Sequence, residues 1–377
     1  MVCDVDLAVP DGARTHTVEV ARGFQRAGLM VRLIARGPDP RLPGVGYEQA
    51  GGAEHERRVR SWSINRAAIR SLWLERRRAG RLYVRHKWTT IPVTVVGRML
   101  GYRVVSEVDD LPYGASFHGE VGRAADYVKR LMTFLMGRLS NGVVAGTQEA
   151  KELLAGEFHV PRGRISVVPI GVDIDYFKPL DRDASIARAG LDPTKRYALF
   201  IGHFAAWVDF DTLLAAFAQV AAGHPDVRLL LVGDGEQREH IVKLATELDI
   251  AEKVIVTGFL SDRERIRDLL GAATLLLASH RREHLDRIGM NATKIAEYLA
   301  AGRPIVAKDV ARLREMIADP GAGLVVPEDA TAMAAAIASL LEPDRAEQMG
   351  RRARHEAEQH YSWDATIRLT LPLFELR

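Results

Sequence analysis

The chain has 377 residues, too many for one ordinary hydrophobic core, so two domains are expected. Its apolar fraction of 47% and charged fraction of 27% are typical of a soluble globular protein. The formal charge of +3 is nearly balanced and argues against a dedicated nucleic-acid-binding protein. The single cysteine, Cys3, excludes internal disulfides and cysteine-based zinc sites.

We expect neither a secretion signal nor a membrane-spanning segment in this sequence. No apolar run approaches the roughly 18 residues needed to cross a bilayer. The opening stretch, MVCDVDLAVPDG, has three aspartates and no basic segment, unlike a signal peptide. We therefore expect a cytoplasmic protein. The first β-like run is short, so a residue or two upstream of Met1 is also expected.

Short β-like runs alternate with amphipathic helical patterns along the first half of the chain. After the opening run, strands are predicted at 31–35, 81–85, 102–108 and 142–146. Helices are predicted between them, including TVEVARGFQRAG, which ends at Gly28, and PVTVVGRMLG, which ends at Gly101. This alternation is typical of βαβ units and a parallel sheet.

A connector at 165–181 precedes a second series of the same kind. Helical patterns such as DTLLAAFAQVAAG and DATAMAAAIASLLE separate its β-like runs. Two successive strand–helix series joined by one linker predict two doubly wound α/β domains that face each other across a cleft. Strands of the second series are predicted at 197–202, 227–233, 253–258, 273–279, 303–307 and 323–327.

Several nucleotide-binding and metal-binding patterns are incomplete. The stretch VGDGEQRE (232–239) has Arg238 where a dinucleotide fingerprint needs a third small residue, so its glycines are interpreted as turn and packing residues. The chain has neither a phosphate loop ending in Gly-Lys-Ser/Thr nor a Gly-x-Ser-x-Gly elbow. Asp-x-Asp pairs, among them 4/6, 173/175 and 209/211, occur as often as chance allows, and the pair 209/211 suits helix capping. We expect no metal site.

Two turns at strand ends carry the first candidate site residues. In PDGARTH (10–16), Gly12 leaves room for an anion at the free N–H groups of a helix start, with an ordinary βα turn as the alternative. The stretch SEVDDLP places Glu107, Asp109 and Asp110 just past the carboxyl end of a strand, where ligands bind in open α/β sheets. These carboxylates are candidates for a general base or for orienting a sugar hydroxyl, with helix capping as the alternative.

Positive charge is concentrated in one region. Between Glu54 and Trp88 there are ten arginines and one lysine against three glutamates. A solvated, Arg-rich helix face is one interpretation. The other is that residues 57–87 bind an anionic acceptor or make peripheral contact with an acidic inner membrane face, which Trp62 and Trp73 favour.

An otherwise apolar helix in the second half keeps a cation beside a carboxylate. In NATKIAEYLAAGRPIVA (291–307), Lys294 and Glu297 are three residues apart and therefore share one helical face. Core packing alone gives no reason to keep this pair near the start of the helix.

The order and spacing of six segments resemble family 4 of the retaining glycosyltransferases, which have the GT-B fold. The segments are ISVVPIGVDIDYFKP, LFIGHFAAWVDFDTLLAAFA, LLLVGDGEQREHI, VIVTGFLSD, KIAEYLAAGRPIVA and GLVVPEDATAMAAAI. The terminal YSWDATIRL resembles the last helix of that fold, which crosses back to the first domain. The resemblance covers essentially the whole chain. It implies an acceptor-side Rossmann-like domain at 1–172, a nucleotide-sugar-binding Rossmann-like domain at 173–360 and a returning helix at 361–377.

The resemblance also implies roles for individual residues. The counterpart of Glu297 binds the ribose hydroxyls of a sugar nucleotide, while Lys294 would add a cation to the diphosphate or pair with Glu297. The loop Asp286–Ala292, which includes Asn291, would lie against the diphosphate and the sugar. The other implied residues are Leu260 at the nucleobase, with Phe259 nearby, Gly12 at the diphosphate, and Glu107 and Asp110 as carboxylates of an EVRDLWP-like segment.

The chain departs from the family pattern at three positions. Gly289 replaces the first glutamate of the family's pair spaced by seven residues, as in the branch with SPSK…EY, which NATKIAEY fits. His203 and Val208 replace the arginine and lysine that neutralise the diphosphate. We assign His203 to donor binding, and Arg287, with Glu107 and Asp110, to catalysis. The cations in or near the proposed loop that are candidates to replace the missing pair are Arg281, Arg282, Arg287 and Lys294.

The implied reaction transfers a sugar from a nucleoside diphosphate sugar to an acceptor hydroxyl with retention of the anomeric configuration. With cations and a helix N-terminus at the diphosphate, neither a metal nor another cofactor is expected. The acceptor is left open among a glycan, a lipid-linked compound and a small molecule. Two alternatives are a GT-B-like sugar-nucleotide epimerase or hydrolase, and a catalytically silent sugar-nucleotide binder such as a partner subunit.

Overall fold

The computed structural model describes residues 1–9, 12–51, 57–78, 80–109, 123–282, 293–310 and 312–376. The chain divides into two compact units. Unit 1 contains Met1–Ile170 and Trp363–Arg377, and unit 2 contains Gly171–Ser362. In this described part of the chain, no helix is long and apolar enough to cross a membrane.

Unit 1 alternates strands and helices. Its strands are β1 (Val2–Asp6), β2 (Val31–Arg36), β3 (Val45–Gln49), β4 (Arg81–Arg85), β5 (Arg103–Val108), β6 (Gly142–Ala145) and β7 (Ile165–Val167). Its helices up to Ile170 are α1 (Gly12–Arg26), α2 (Arg57–Glu75), α3 (Ile91–Met99), α4 (Arg123–Leu139) and α5 (Gln148–Gly156). The strands form one parallel sheet in the order β3-β2-β1-β4-β5-β6-β7. The order reverses between β1 and β4, so the turns after these strands lie side by side.

The central strands of unit 1 are apolar because helices cover both faces of the sheet. Leu82 and Val84 of β4 are 2% and 0% exposed, and Val104 and Val105 of β5 are both fully buried. Such continuous burial is expected of a parallel strand between two helical layers.

Unit 1 contains two strands that the sequence pattern does not predict. β3 is a half-exposed edge strand whose residues, VGYEQ, contain no apolar run. β7 forms the opposite edge beside β6, so the predicted connector at 165–181 is wrong over its first three residues. Edge strands are covered on fewer sides than central ones, and their apolar signal is therefore weaker.

Unit 2 follows the predicted alternation closely. Its strands are β8 (Arg196–Ile201), β9 (Val227–Val232), β10 (Val254–Gly258), β11 (Leu275–Ala278), β12 (Ile305–Lys308) and β13 (Gly323–Val326). Its helices are α6 (Arg182–Ala189), α7 (Phe210–Gly223), α8 (Arg238–Glu247), α9 (Arg263–Ala272), α10 (Thr293–Ala300), α11 (Ala330–Ser339) and α12 (Pro343–Glu356). The parallel sheet has the order β10-β9-β8-β11-β12-β13, which reverses between β8 and β11. The six strand predictions for this unit are confirmed.

The last helix, α13 (Trp363–Thr370), belongs to unit 1, as predicted for a helix that returns to the first domain. A Cβ on Gly23 of α1 would lie 2.4 Å from Cγ1 of Ile367, so the missing side chain lets α1 and α13 pack closely. Arg26 donates to Asp364 at 2.7 Å beside this contact. Two doubly wound parallel sheets and a returning helix confirm the predicted fold class.

Candidate functional site

The turns after β8 and β9 pack against each other at the carboxyl edge of the unit 2 sheet. Gly233 has a φ of +146°, and a Cβ there would lie 1.8 Å from the carbonyl oxygen of Gly202. Gly235 has a φ of +153°, and its Cβ would lie 2.7 Å from the carbonyl oxygen of Phe204. Only glycine fits this backbone and this space. The interpretation of VGDG as a turn and packing motif is confirmed, and the turn that carries His203 is held in place.

This turn presents an imidazole at the position where the family resemblance implies an arginine. The His203 side chain is 61% exposed, and its Nε2 lies 3.3 Å from the Glu236 carboxylate. Glu236 also accepts a hydrogen bond of 2.9 Å from the backbone N–H of Ala206. Val208, at the position of the family lysine, is 1% exposed and packs in the core. The turn therefore offers one exposed, carboxylate-paired imidazole in place of two cations.

α10 holds Lys294 and Glu297 close to the end of β8. The Lys294 ammonium donates to the Glu297 carboxylate at 2.9 Å, and the two side chains are 46% and 15% exposed. The neighbouring Tyr298 is buried, and its hydroxyl accepts a hydrogen bond of 2.8 Å from the backbone N–H of Ile201, the last residue of β8. This contact ties the helix to the sheet edge where ligands bind in such folds. The paired cation and carboxylate are thus presented at that edge.

The turn after β10 presents an aromatic ring. Phe259 is 77% exposed, whereas Leu260 is partly buried against the core of unit 2. The turn ends where the Asp262 carboxylate accepts a hydrogen bond of 2.9 Å from the N–H of Glu264 and caps α9. An exposed ring at the carboxyl edge offers a flat surface for a planar base.

An ion pair beneath the same edge fixes the turn after β8. The Lys308 ammonium, at the end of β12, lies 2.5 Å from the Asp209 carboxylate and 2.5 Å from Glu328, and its side chain is 1% exposed. Asp209 also caps α7 by accepting a hydrogen bond from the Thr212 N–H at 3.2 Å. Burial alone would raise the pKa of Asp209, but hydrogen bonds from Lys308 and Thr212 outweigh burial and lower that pKa to about 2. The turn is therefore anchored by a buried ammonium–carboxylate pair.

Two of the cations proposed to replace the family pair already have carboxylate partners. Arg281 donates to Asp211 at 2.8 Å and lies 3.5 Å from Asp209. Arg282 lies 3.5 Å from the carboxylate of Asp309. A diphosphate at either guanidinium would compete with an existing ion pair.

The Asp-x-Asp pairs have structural partners. Asp4 accepts a hydrogen bond of 2.9 Å from Arg36, and Asp173 accepts one of 2.9 Å from the N–H of Tyr176. Asp211 pairs with Arg281 as described above. Among the residues that the structure describes, no group of three His, Cys, Asp or Glu side chains is arranged to hold a metal ion.

Unit 1 buries an ion pair below its carboxyl edge. Nε2 of His16, on α1, lies 2.6 Å from Oε1 of Glu107, and the two residues are 4% and 5% exposed. Burial alone would lower the pKa of His16, but the Glu107 carboxylate outweighs burial and raises it. Burial would likewise raise the pKa of Glu107, and His16 lowers it instead. Each group therefore favours the charged form of the other.

Glu107 lies within β5 and not past its end, so this part of the sequence prediction is wrong. β5 continues to Val108, which is in register with Ala145 of β6. The carboxylate is accepted in the sheet interior because His16 neutralises it. The adjacent Asp109 does lie past the strand, where it pairs with Arg85 at the end of β4.

The start of α1 is tied to these strand ends and opens on free space. Arg85 donates to the carbonyl oxygen of Ala13, in the first turn of α1, at 3.1 Å. Gly12 is the exposed first residue of the helix, and a Cβ there would meet no described atom within 4 Å. Open space beside the first residue of a helix is one requirement of an anion site at a helix start.

Several predicted site residues lie outside the described residues. These are Asp110, Arg287 and Asn291, with Gly289 and the rest of the loop Asp286–Ala292. Their roles stay predictions. The described ones are Gly12 and Glu107 in unit 1, and His203, Leu260, Lys294 and Glu297 in unit 2.

Two buried charged residues at these edges, His16 and Lys308, are not predicted from the sequence. His16 lies inside the PDGARTH turn segment, and Lys308 follows the apolar run IVA directly. A single charged residue at the end of a buried strand is the signal that could have identified Lys308, because such a charge needs a partner.

Comparison with known proteins gives matches over most of the chain. Residues 10–176 match the family model "Glycosyltransferase Family 4", and residues 181–356 match "Glycosyl transferases group 1". The D-inositol 3-phosphate glycosyltransferase of Segniliparus rotundus is 34% identical over 233 residues, which cover 60% of this chain and 50% of that protein. A second such enzyme, D-inositol 3-phosphate glycosyltransferase 1 of Catenulispora acidiphila, is 28% identical over 388 residues. This match covers 96% of this chain and 90% of that protein. The chain spans about half the length of the curated relatives that it matches first.

The fold is shared with solved glycosyltransferase structures. Anabaena HepE in complex with UDP and glucose superimposes with a TM-score of 0.71 at 16% identity, over 99% of this chain and 98% of that one. Likeness at this identity shows the fold alone. The two family models match consecutive parts of the chain, the first containing strands β2 to β7 of the unit 1 sheet and the second those of the unit 2 sheet. The chain therefore belongs to glycosyltransferase family 4 and has the GT-B fold.

Proposed function

We propose that the protein is a retaining glycosyltransferase that moves a sugar from a nucleoside diphosphate sugar to an acceptor hydroxyl. The observation that carries the proposal is the Lys294–Glu297 pair, held near the end of β8 by Tyr298. A carboxylate beside a cation suits a ligand that offers ribose hydroxyls next to phosphate oxygens. Relatives named as glycosyltransferases along nearly the whole chain support the same reaction class.

In the proposed donor site, Glu297 accepts hydrogen bonds from the ribose hydroxyls and Lys294 turns to the diphosphate. Leu260, with the exposed Phe259 beside it, contacts the nucleobase. His203 lies on the adjoining turn, and Asn291 precedes α10 in the sequence. Both are proposed to contact the phosphates and the sugar. Gly12 in unit 1 offers its helix start to the same kind of anion.

The proposed chemistry is mainly electrostatic. The bond from the sugar C1 to the diphosphate oxygen breaks, a bond from C1 to the acceptor oxygen forms on the same face, and the acceptor proton passes to the diphosphate. Cations and helix N-termini stabilise the leaving diphosphate, so the reaction needs no metal or other resident cofactor. Arg287 is proposed to be the cation at the leaving group, and Asp110 to orient the acceptor. Glu107 is too deeply buried for that contact, and its pair with His16 supports a positioning role instead.

The donor and the acceptor are proposed by chemical class. UDP sugars are the first donors to test, because HepE of the same fold is solved with UDP and glucose. A phosphate-bearing hydroxyl compound is the first acceptor, because relatives are named D-inositol 3-phosphate glycosyltransferases. Arginines of the 57–87 region provide positive charge for such an acceptor or for a lipid phosphate. Charge reversal at 76–78 is expected to weaken acceptor use and leave donor affinity unchanged.

A second candidate is a sugar-nucleotide binder without activity. The observations that favour it are the exposed imidazole of His203 and the buried Val208 where the family has cations, with Gly289 in place of the first glutamate. An epimerase or hydrolase, which needs no acceptor, is the third. Turnover of the donor without acceptor would support the third, and binding without turnover across an acceptor panel would support the second.

The test is the thermal unfolding of the purified chain with UDP, GDP, ADP and dTDP and with their sugar conjugates. A ligand that binds only the native state raises the unfolding temperature by mass action. We expect stabilisation by one nucleotide, lost in Glu297→Ala and kept in Glu247→Ala. Glu247 is the matched control because it pairs with Lys243 on exposed α8 of the same unit. No stabilisation by any nucleotide would contradict the proposal.

A further inference from the structure

The exposed face of α2 carries two tryptophans with two arginines between them. Trp62 and Trp73 are 76% and 56% exposed, and Arg66 and Arg70 are exposed as well. At about 100° per residue these four side chains project within a sector of about 80°. We refer to these four residues as the α2 stripe: Trp62, Arg66, Arg70 and Trp73.

The opposite face of α2 fixes the direction of the stripe. Ile64, Ala68 and Leu72 are 0%, 0% and 6% exposed and belong to one core cluster with Val84 of β4. Turning the stripe inward would expose these apolar side chains to water, which is unfavourable. The tryptophans therefore stay on the surface of unit 1.

The α2 stripe and the three residues that follow the helix are positively charged. Among the described side chains of α2 one is acidic, Glu75, and it pairs with Arg32 at 3.1 Å. Three arginines, 76–78, follow the helix and are exposed. The guanidinium of Arg76 lies 4.1 Å from the centre of the Trp73 ring. No carboxylate of the described α2 side chains is left to neutralise the stripe.

Exposed tryptophans combined with arginines indicate a partner that is apolar just below an anionic surface. Tryptophan prefers the level of lipid headgroups, and arginine binds lipid phosphates. Trp62 and Trp73 are about 16 Å apart along the helix axis, so both rings can reach one flat surface at once. A protein partner would instead have to match a narrow line of alternating rings and charges.

We propose that the α2 stripe docks unit 1 on a bilayer that contains anionic lipids. The tryptophan rings enter the headgroup region, and Arg66 and Arg70 bind lipid phosphates. The surface is separate from the residues proposed to bind the donor. Docking therefore does not depend on the sugar-transfer proposal, and each can fail without the other.

The experiment measures the fraction of the full chain that sediments with vesicles. One set contains phosphatidylcholine alone, and the other contains phosphatidylcholine mixed with phosphatidylglycerol. We expect binding to the anionic vesicles and little to the neutral ones. Each arginine near such a surface contributes about fivefold to the partition, so Arg66→Glu with Arg70→Glu should lower it at least about 25-fold. Trp62→Ala with Trp73→Ala should weaken binding with the net charge unchanged.

Two controls separate the stripe from general charge and from unfolding. Arg345→Glu with Arg351→Glu makes the same change in net charge on α12 of unit 2, where both side chains are exposed. Trp88→Ala removes a tryptophan that is 50% exposed elsewhere on unit 1. We expect both controls to bind like the unaltered chain, with all variants unfolding at similar temperatures. Equal binding to both vesicle types, absence of binding, or an equal loss in the controls would overturn the proposal.

Discussion

The Lys308 ammonium and the Asp209 carboxylate lie 2.5 Å apart in the interior of unit 2, where the two residues are 1% and 2% exposed. Lys308 ends β12, and Asp209 caps α7 at the end of the turn that carries His203. The pair thus links the turn after β8 to a neighbouring strand of the same sheet. It holds the proposed donor-binding edge from beneath, without contacting solvent itself.

Breaking this pair should be costly. Lys308→Met leaves the buried Asp209 carboxylate with Arg281, 3.5 Å away, as its remaining described cation. Loss of one partner of a buried pair costs about 3–5 kcal/mol. Urea unfolding measures the free energy of unfolding. The control is Arg351→Met, which breaks an exposed pair with Glu347 on α12 and should cost less than about 1 kcal/mol. Equal losses in the two variants would show that the buried pair adds nothing to stability.

The His16–Glu107 pair should make the stability of the protein depend on pH. The pKa of His16 is raised in the folded state, so its contribution is complete below the unfolded value of about 6.5 and is lost as pH rises through the folded pKa. The pKa of Glu107 is lowered, so its contribution is complete above about 4.3 and is lost as pH falls through the folded pKa. The pair should therefore be most stabilising between about pH 4.5 and 6.5.

Urea unfolding at several pH values tests this expectation. The unfolding free energy of the unaltered chain should exceed that of His16→Gln by the largest margin near about pH 5–6, inside the window derived above. The margin should shrink as the pH rises beyond that window. Glu107→Gln removes the carboxylate that raises the pKa of His16, so burial should lower that pKa and the unfolding free energy should no longer fall as the pH rises above about 6.5. A margin that stays constant across the range would refute an ionised pair.

Lys294 and Glu297 should affect different parts of a nucleotide. If Lys294 binds the diphosphate, Lys294→Gln should weaken UDP binding by about 10- to 100-fold, the value of one charge-assisted hydrogen bond, and leave uridine binding unchanged. Glu297→Gln should weaken both, because both carry the ribose. Calorimetric titration of UDP and uridine measures the affinities. Equal losses for UDP and uridine in Lys294→Gln would place the ammonium away from the phosphates.

Gly233 should not tolerate a side chain. Gly233→Ala brings a Cβ to 1.8 Å from the Gly202 carbonyl oxygen and strains a backbone at a φ of +146°. We expect a loss of at least about 2 kcal/mol in unfolding free energy. Gly223→Ala is the matched control, since Gly223 ends α7 and a Cβ there meets no described atom within 4 Å. That variant should be neutral or up to about 1 kcal/mol more stable.

The local features of this protein can be predicted from its sequence. Central strands such as β8 and β9 are apolar runs between helical patterns, and local periodicity is enough to detect them. The shared face of Lys294 and Glu297 follows from their spacing, and the structure places the two atoms 2.9 Å apart. The glycines of VGDG are turn residues by the same kind of local reasoning.

Edge strands and buried charges required the tertiary structure. β3 has no apolar run and β7 is only the three residues ISV, because each strand is covered on fewer sides than a central one. The strand beside each of them defines it. Val208 also required the tertiary structure. It stands at the position where the family resemblance implies a lysine, but it is buried in the core, and burial decides its role.

The sequence by itself determined the alternation of strands and helices, the two doubly wound units and the membership in glycosyltransferase family 4. Tertiary structure alone decided that His16 meets Glu107 and that Lys308 meets Asp209, which is 99 residues away. Parallel sheets place the ends of strands that are distant in the chain side by side, so the partner of a charge at such an edge depends on strand order. Burial then makes those pairings obligatory, because an ionised group in the interior is stable only beside its counterion.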